Sequence, residues 1–300
     1  MDAITALKSF FGREREIAAA YLYGRYAADR TWPDSDLEVG ILFAERLTED
    51  EIGEYLEGLS TRNPLGDVPG VLMPFALNTH ITPVVYEILT GGSLLVSNDP
   101  TAAESFTRAT MARLEAERAG LLEDARDAIQ QARNLGLLTL GTPGLVLPTP
   151  PRYLDPIRIG WRLARILASV AVLESVTREA EAAGRDAERL GQIVGWFSNA
   201  AGAATGIAKA MLNTFDMPRP ARRWEIFLPL AEQGLLTMEL ALQLAATVES
   251  RWAMLTGPGL AVPDRLVATV RGSLAPIVSF ARLAAWYTEL PGGAHDQTLH

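Results

Sequence analysis

Residues 141 to 156 read GTPGLVLPTPPRYLDP, and five prolines in sixteen positions forbid a continuous helix there. Such a stretch is stiff and extended, so it predicts a linker over 139–154 and divides the chain in two. The divided halves differ in periodicity. Before the linker, helical and period-2 patterns alternate; after it, every long segment repeats at three and four residues. The expectation is an α+β protein: a mixed sheet with helices over 1–138, an all-α up-down bundle over 155–290, and a tail over 291–300. A chain of 300 residues with 48% hydrophobic and 21% charged content can bury a core in each half.

In the first half, residues 3 to 19 can form a helix, and "AAYLYG" reads as a strand entering a turn at Gly24. "SDLEVGILF" is a second strand. "TEDE" is a capping box, with Thr48 as N-cap and Glu51 three residues on, opening a helix to about Ser60. "VPGVLMPFAL" reads as a strand whose Pro74 assigns it to an edge or a bulge. "TPVVYEILTGG" is a short helix started by Pro83 and stopped by glycines, "SLLV" a last short strand, and a longer helix begins near Pro100.

In the second half, Leu190, Ile193, Val194, Phe197, Ala201, Ala204, Ala208 and Met211 mark one apolar helix face. Gly191, Gly195, Gly202 and Gly206 offer places for another helix to approach closely. No fixed-period repeat is present, which favours a bundle over a solenoid.

The second strand carries charge where strands usually avoid it. Side chains two apart share a face, so Asp36, Glu38 and Gly40 point one way while Leu37, Val39 and Ile41 point the other. Two carboxylates about 7 Å apart along a strand suit one or two Mg²⁺ ions, whose hard oxygen ligands are carboxylates and phosphates. The turn after "LYG" would offer backbone N–H groups and the Arg25 guanidinium to phosphate oxygens. The same pattern equally describes an edge strand with one solvated polar face.

"LYGRYAADRTWPDSDLEVGIL" resembles the signature of the polymerase-β-type nucleotidyltransferase superfamily, in which a Gly-Ser turn precedes an Asp-x-Asp or Asp-x-Glu strand. It is most similar to the minimal nucleotidyltransferases, and the resemblance runs through "ITPVVYEILTGGSLLVSNDP", covering roughly residues 5 to 134. The resemblance implies that Gly24, Arg25 and Ser35 lie around a nucleoside triphosphate such as ATP, with Asp36 and Glu38 binding Mg²⁺ at the catalytic position. Two departures stand out: Arg25 replaces the family's serine, and the register anchored on Pro83 sets Pro74 where the family has a third acidic residue.

The helical half, from "ERLGQIVGWFSNAAGAATGIAKAMLNTF" through "VESRW", resembles the HEPN ribonuclease-toxin bundle, the usual partner of minimal nucleotidyltransferase antitoxins, over roughly 155 to 290. The family's Arg-Asn-x-x-x-His matches "RWAMLT", so Arg251 is retained while Trp252 and Thr256 replace the Asn and His. The chain's three histidines, His80, His295 and His300, all lie outside the bundle, which leaves no histidine there for proton transfer to RNA. Trp196, Trp224, Trp252 and Trp286 occupy helical apolar positions and read as core or interface packing.

Composition narrows the alternatives. The absence of cysteine excludes disulfides, thiolate metal sites and cysteine nucleophiles. A net charge of −9, with arginines spread along the chain, gives no strong nucleic-acid signal. "MDAITALKSFFGRERE" meets charge too early for a secretory signal, and no long uncharged apolar run follows, so a cytosolic protein without a membrane segment is expected. Two functions fit. One is a toxin-antitoxin-derived fusion with decayed sites that binds nucleotide, or a protein partner, and forms a homodimer through its helical half. The other is an active Mg²⁺-dependent enzyme transferring a nucleoside monophosphate to a hydroxyl, as aminoglycoside nucleotidyltransferases do.

Overall fold

The computed structural model describes residues 2–23, 37–44, 47–62, 64–65, 72–79, 82–134, 152–183, 187–218, 220, 222–256 and 263–288. They form two compact units, Met1–Ala119 and Gly120–His300.

The first unit holds a four-stranded mixed sheet in the order β3-β2-β1-β4. Its strands are β1 (Ile17–Tyr23), β2 (Leu37–Phe43), β3 (Leu72–Ala76) and β4 (Ser93–Ser97). β1 pairs antiparallel with both β2 and β4, and β2 pairs parallel with β3. Its helices are α1 (Ala3–Phe11), α2 (Glu49–Arg62), α3 (Thr82–Gly91) and the first part of α4 (Pro100–Asn134).

The alternation expected of the second strand is what builds this unit. Leu37, Val39, Ile41 and Phe43 enter a core with Leu7 and Phe11 of α1 and Ile52, Tyr55 and Leu59 of α2. Leu42 enters a second core on the other face, with Val85 and Ile88 of α3 and Ala103 of α4. Gly40 belongs to that second face: a Cβ there would lie 2.8 Å from Ile88 Cγ2 and 3.1 Å from Leu77 Cδ2, so the glycine is what lets α3 lie close to the sheet.

The capping box forms as expected. Thr48 N and Oγ1 both donate to Glu51 Oε2 at 2.8 Å, and Glu51 N donates back to Thr48 Oγ1 at 3.3 Å. Asp99 opens α4 by accepting from Ala102 N at 2.9 Å. The helix expected over 3–19 is shorter. It ends at Phe11, Gly12 N closes it on Lys8 O, and Ile17–Ala20 are buried within β1. Alanine-rich sequence with good helix propensity thus pairs on both edges as a strand, because sheet burial outweighs a preference of well under 1 kcal/mol per residue. Glu14 anchors the intervening turn to α2, accepting from Tyr55 Oη and Arg62 Nη1 at 2.7 Å each.

The second unit is helical: the end of α4, α5 (Pro156–Ala183), α6 (Ala187–Thr214), a 3-10 turn (Arg223–Phe227), α7 (Leu228–Glu232), α8 (Met238–Thr256) and α9 (Pro263–Trp286). Ile193, Phe197, Ala201, Ala204, Ala208 and Met211 of α6 are buried, as the periodicity requires. α9 carries a stretch, Arg265–Trp286, long and apolar enough to cross a membrane, of which 56% is buried within the fold. Its Val270, Ile277, Phe280 and Ala284 are fully buried.

The glycines behave differently from the expectation. Gly191 and Gly195 face open space, whereas Gly202 and Gly206 lie under the side chains of Arg251 and Arg162. The close helix approach occurs instead at Gly160 of α5, where a Cβ would lie 2.4 Å from Ala125 Cβ and 2.5 Å from Ala125 Cα of α4. Most of the Pro-rich stretch lies outside the described residues. At its end, Leu154 N donates to Tyr287 O at 3.0 Å, fixing the entry to α5 beside the end of α9.

Candidate functional site

Gly24, Arg25, Ser35 and Asp36 lie outside the described residues, as do His80, His295 and His300. Glu38 is described, one residue into β2 at the sheet end from which that segment departs. Its Cα partners are Tyr23 on β1 and Met73 on β3. Neighbours across a sheet share a face, so Tyr23, Glu38 and Met73 form one row at the rim, on the side covered by α3. The packing agrees, since Tyr23 and Phe75 both pack against the core that α3 helps to form.

This register corrects the reading of Pro74. Pro74 pairs with Val39, and its neighbours Leu72 and Ala76 both join the α1–α2 core, so it faces away from Glu38. The sequence assignment slipped by one residue, and a slip of one exchanges faces. On the carboxylate side β3 offers Met73 and Phe75, neither of which supplies an oxygen ligand. Met73 is 48% exposed, so the position opposite Glu38 opens to solvent. Pro74 does sit on an edge strand, as a proline that cannot donate to a ladder must.

Glu38 is half-buried. Its carboxylate is a hard ligand suited to Mg²⁺, and with a carboxylate at Asp36 it would supply two protein ligands, enough for one ion that a triphosphate also chelates. Among the described residues, no group of three or more aspartate, glutamate or histidine side chains converges. The end of α3 adjoins the same rim: a Cβ at Gly92 would lie 3.0 Å from Leu22 O and 3.4 Å from Tyr23 Cβ.

A cleft of about 820 Å³ opens at the opposite end of β1. It is lined by the turn from Gly12 to Ile17, by Ala44 and by the start of α4. Asn98 organises it, its Nδ2 donating to the carbonyls of Phe11 and Ile17 at 2.8 and 3.1 Å. None of the residues expected to act on nucleotide is there.

In the helical unit, Arg251 and Trp252 are half-buried on α8, and Thr256 ends that helix. The Arg251 guanidinium lies over α6, where a Cβ on Gly202 would be 3.7 Å from its Nη2. Sequence reading missed the company it keeps. Arg162 of α5 crosses Gly206, and Arg165 Nη2 donates to Asn199 Oδ1. Arg158, Arg162 and Arg165 follow the i, i+4, i+7 spacing of a single helix face, a signal hidden when arginines are judged by their spread along the chain. Of the tryptophans expected to pack internally, Trp196, Trp224, Trp252 and Trp286 are all half-buried. Trp224 and Trp286 each carry a guanidinium over the ring, from Arg222 at 5.7 Å and Arg133 at 5.8 Å.

Comparison with known proteins finds one family likeness, and it lies within the first unit. Residues 5–101 match the family model described as "Polymerase beta, Nucleotidyltransferase". Among solved structures, a mutant of the toxin-antitoxin MntA-HpeT is similar at 19% identity and a TM-score of 0.39, over 42% of this chain and 95% of that one. A chain from the tri-AMPylated Shewanella oneidensis HEPN toxin in complex with MNT antitoxin is similar at 18% identity and a TM-score of 0.39, over 42% and 94%. A toxin-antitoxin with AMP-PNP is similar at 19% identity and a TM-score of 0.29, over 40% and 93%. No curated protein sequence matches the chain.

Proposed function

We propose that the nucleotidyltransferase-like domain binds a Mg²⁺-nucleoside triphosphate at the Glu38 end of its sheet and that nucleotidyl transfer there is impaired. One observation carries this reading: in the row Tyr23, Glu38, Met73 the β3 neighbour of Glu38 is a thioether and not a carboxylate. Asp36 and Glu38 would hold one metal against the phosphates. Mg²⁺ would screen the triphosphate charge and fix its geometry. Activating an incoming hydroxyl calls for a base, and the Glu38 face of β3 has none to give. Arg25, which stands where the resembled family has a serine, adds a cation that favours holding nucleotide over releasing it.

The whole chain then reads as a fusion derived from a toxin-antitoxin pair, cytoplasmic, with a HEPN-like helical domain whose motif has decayed at Trp252 and Thr256. Its apolar and aromatic surplus supports a homodimer through the helical half, leaving the small domain free for nucleotide or a protein partner.

Calorimetric titration of ATP and GTP with and without Mg²⁺ tests the binding. The expected result is Mg²⁺-dependent binding that falls by about tenfold or more in Glu38→Gln, the loss of one charged metal ligand. Equal affinity without Mg²⁺, or no effect of the substitution, sinks the proposal. Transfer of labelled nucleotide at many turnovers per minute would leave the binding site standing and overturn the impairment.

The bundle is expected to cleave no RNA. Arg251 over Gly202 can contact a phosphate, but no histidine is present to move the proton. Cleavage of a labelled RNA by the purified protein, abolished in Arg251→Ala, would refute this.

A further inference from the structure

β4 stands last in the sheet order β3-β2-β1-β4, so among the described residues one side of it has no neighbouring strand. The backbone N–H and C=O groups on that side form an open edge. The five residues Ser93–Ser97 include no charged side chain and no proline, which ordinarily guard such an edge. Beside it lies a groove of about 530 Å³ between β4 and α4. Tyr21, Leu94, Thr107 and Met111 line this groove, with Glu104 and Arg108 on its helix side. Leu94 pairs with Tyr21 in the sheet, so both lie on the face toward α4, where the Tyr21 and Thr107 hydroxyls are 3.4 Å apart. Leu94 is 53% and Met111 38% exposed, which leaves two large apolar side chains facing water in one groove. Glu104 and Arg108 are exposed as well, one helical turn apart, with no ion pair or side-chain hydrogen bond of their own among the described residues.

We propose that the occupant of this groove is a second copy of the chain, whose β4 pairs antiparallel with this one and continues the sheet across a two-fold axis normal to it. An open strand edge is satisfied by another strand. The charges favour a copy of the same chain over an unrelated strand. β4 rises about 3.4 Å per residue and α4 about 1.5 Å, so the middle of β4, about 7 Å from its end, is level with a point about five residues into α4. That point falls between Glu104 and Arg108. A two-fold axis there sets the two α4 helices antiparallel on the same face of the joined sheet, with Glu104 of each copy opposite Arg108 of the other. Leu94 and Met111 of both copies then close the groove between them and leave water. The contact lies within Met1–Ala119 and is separate from the one proposed for the helical half.

The test is light scattering and amide exchange on the full chain at rising micromolar concentration. The amides of Ser93–Ser97 that face away from β1 should exchange more slowly as concentration rises. Leu94→Lys should lower the mass to half that of the parent or less, and because Leu94 is half-exposed this variant should keep its circular dichroism. Arg108→Glu sets a carboxylate against Glu104 in each of the two symmetric contacts, and should weaken association by about tenfold or more. Adding Glu104→Arg to that variant restores opposite charges and should recover most of the parent affinity, a rescue that a structural role within one copy would not give. The inference fails if the parent is monomeric throughout, which would leave the edge to a strand of another protein, or if Leu94→Lys keeps the parent mass. It fails equally if exchange in β4 ignores concentration, or if the double variant associates no better than Arg108→Glu alone.

Discussion

Gly160→Leu should lower the melting temperature of the helical unit by about 10 °C. The Cβ alone would lie 2.5 Å from the Cα of Ala125, so the collision is with the backbone of α4, and no rotamer relieves it. The two helices would have to separate where Gly160 meets Ala125, a place flanked by buried residues such as Ile159 on α5 and Ala128 and Ile129 on α4. Overpacking ordinarily costs about 1–3 kcal/mol, and a contact with main chain belongs at the upper end. For a unit of this size, each kcal/mol moves the midpoint by about 2–4 °C. Gly191→Ala is the matching control. Gly191 lies inside α6 with nothing within 4 Å of its would-be Cβ, so alanine should add up to about 1 kcal/mol of stability through helix propensity alone. A Gly160→Leu protein melting within a degree or two of the parent would show that α4 and α5 do not meet at this position.

The second large effect is a gain. Met73→Asp combined with Arg25→Ser should raise nucleotidyl transfer by about a hundredfold or more over the parent. The new carboxylate would stand across from Glu38 on the same face, where it could take a second metal or a proton. Placing such a group is worth several kcal/mol in the transition state. Pro74→Asp with the same Arg25→Ser is the discriminating partner, because residue 74 faces the α1–α2 core. It should bring no transfer and should destabilise the domain by burying a charge among Leu72, Ala76 and Val39. If the two variants perform alike in a labelled-nucleotide assay, the register of β2 against β3 does not set the site.

That pair of variants also marks where the sequence could be read and where it could not. Period-2 alternation in β2 was legible because each face meets its own helices, and the Thr48–Glu51 box because it is a local hydrogen-bond pattern. The facing of Pro74 was not legible. The sequence between α2 and β3 carries no signal that fixes the register, and a parallel register depends on packing contributed by residues far apart in the chain. The end of α1 was missed because Ala18, Ala19 and Ala20 favour helix in isolation and become strand only when β2 and β4 flank them. Two glycines of α6 looked like places for a neighbouring backbone and proved to be places for arginines. Spacing predicts that a face is open, and the partner helix decides what fills it.

Arg133 near the end of α4 has a bearing on how this chain is made. Its Nε donates to Ala285 O at 3.1 Å and its Nη2 to Thr288 O at 2.8 Å, so it satisfies carbonyls at the far end of α9, some 150 residues later. A ribosome delivers α4 first. Until α9 has emerged, the apolar stripe from Ala125 to Ala132 has only part of its cover, and the guanidinium must stay in water. The small sheet can fold behind the exit tunnel while the last turns of α4 wait for the final helix. Contacts of such separation make folding slow and leave the unfinished chain open to sticking. A fragment cut at the Pro-rich stretch would keep that stripe exposed permanently, and expression trials of the nucleotidyltransferase-like domain should therefore stop near Ala119.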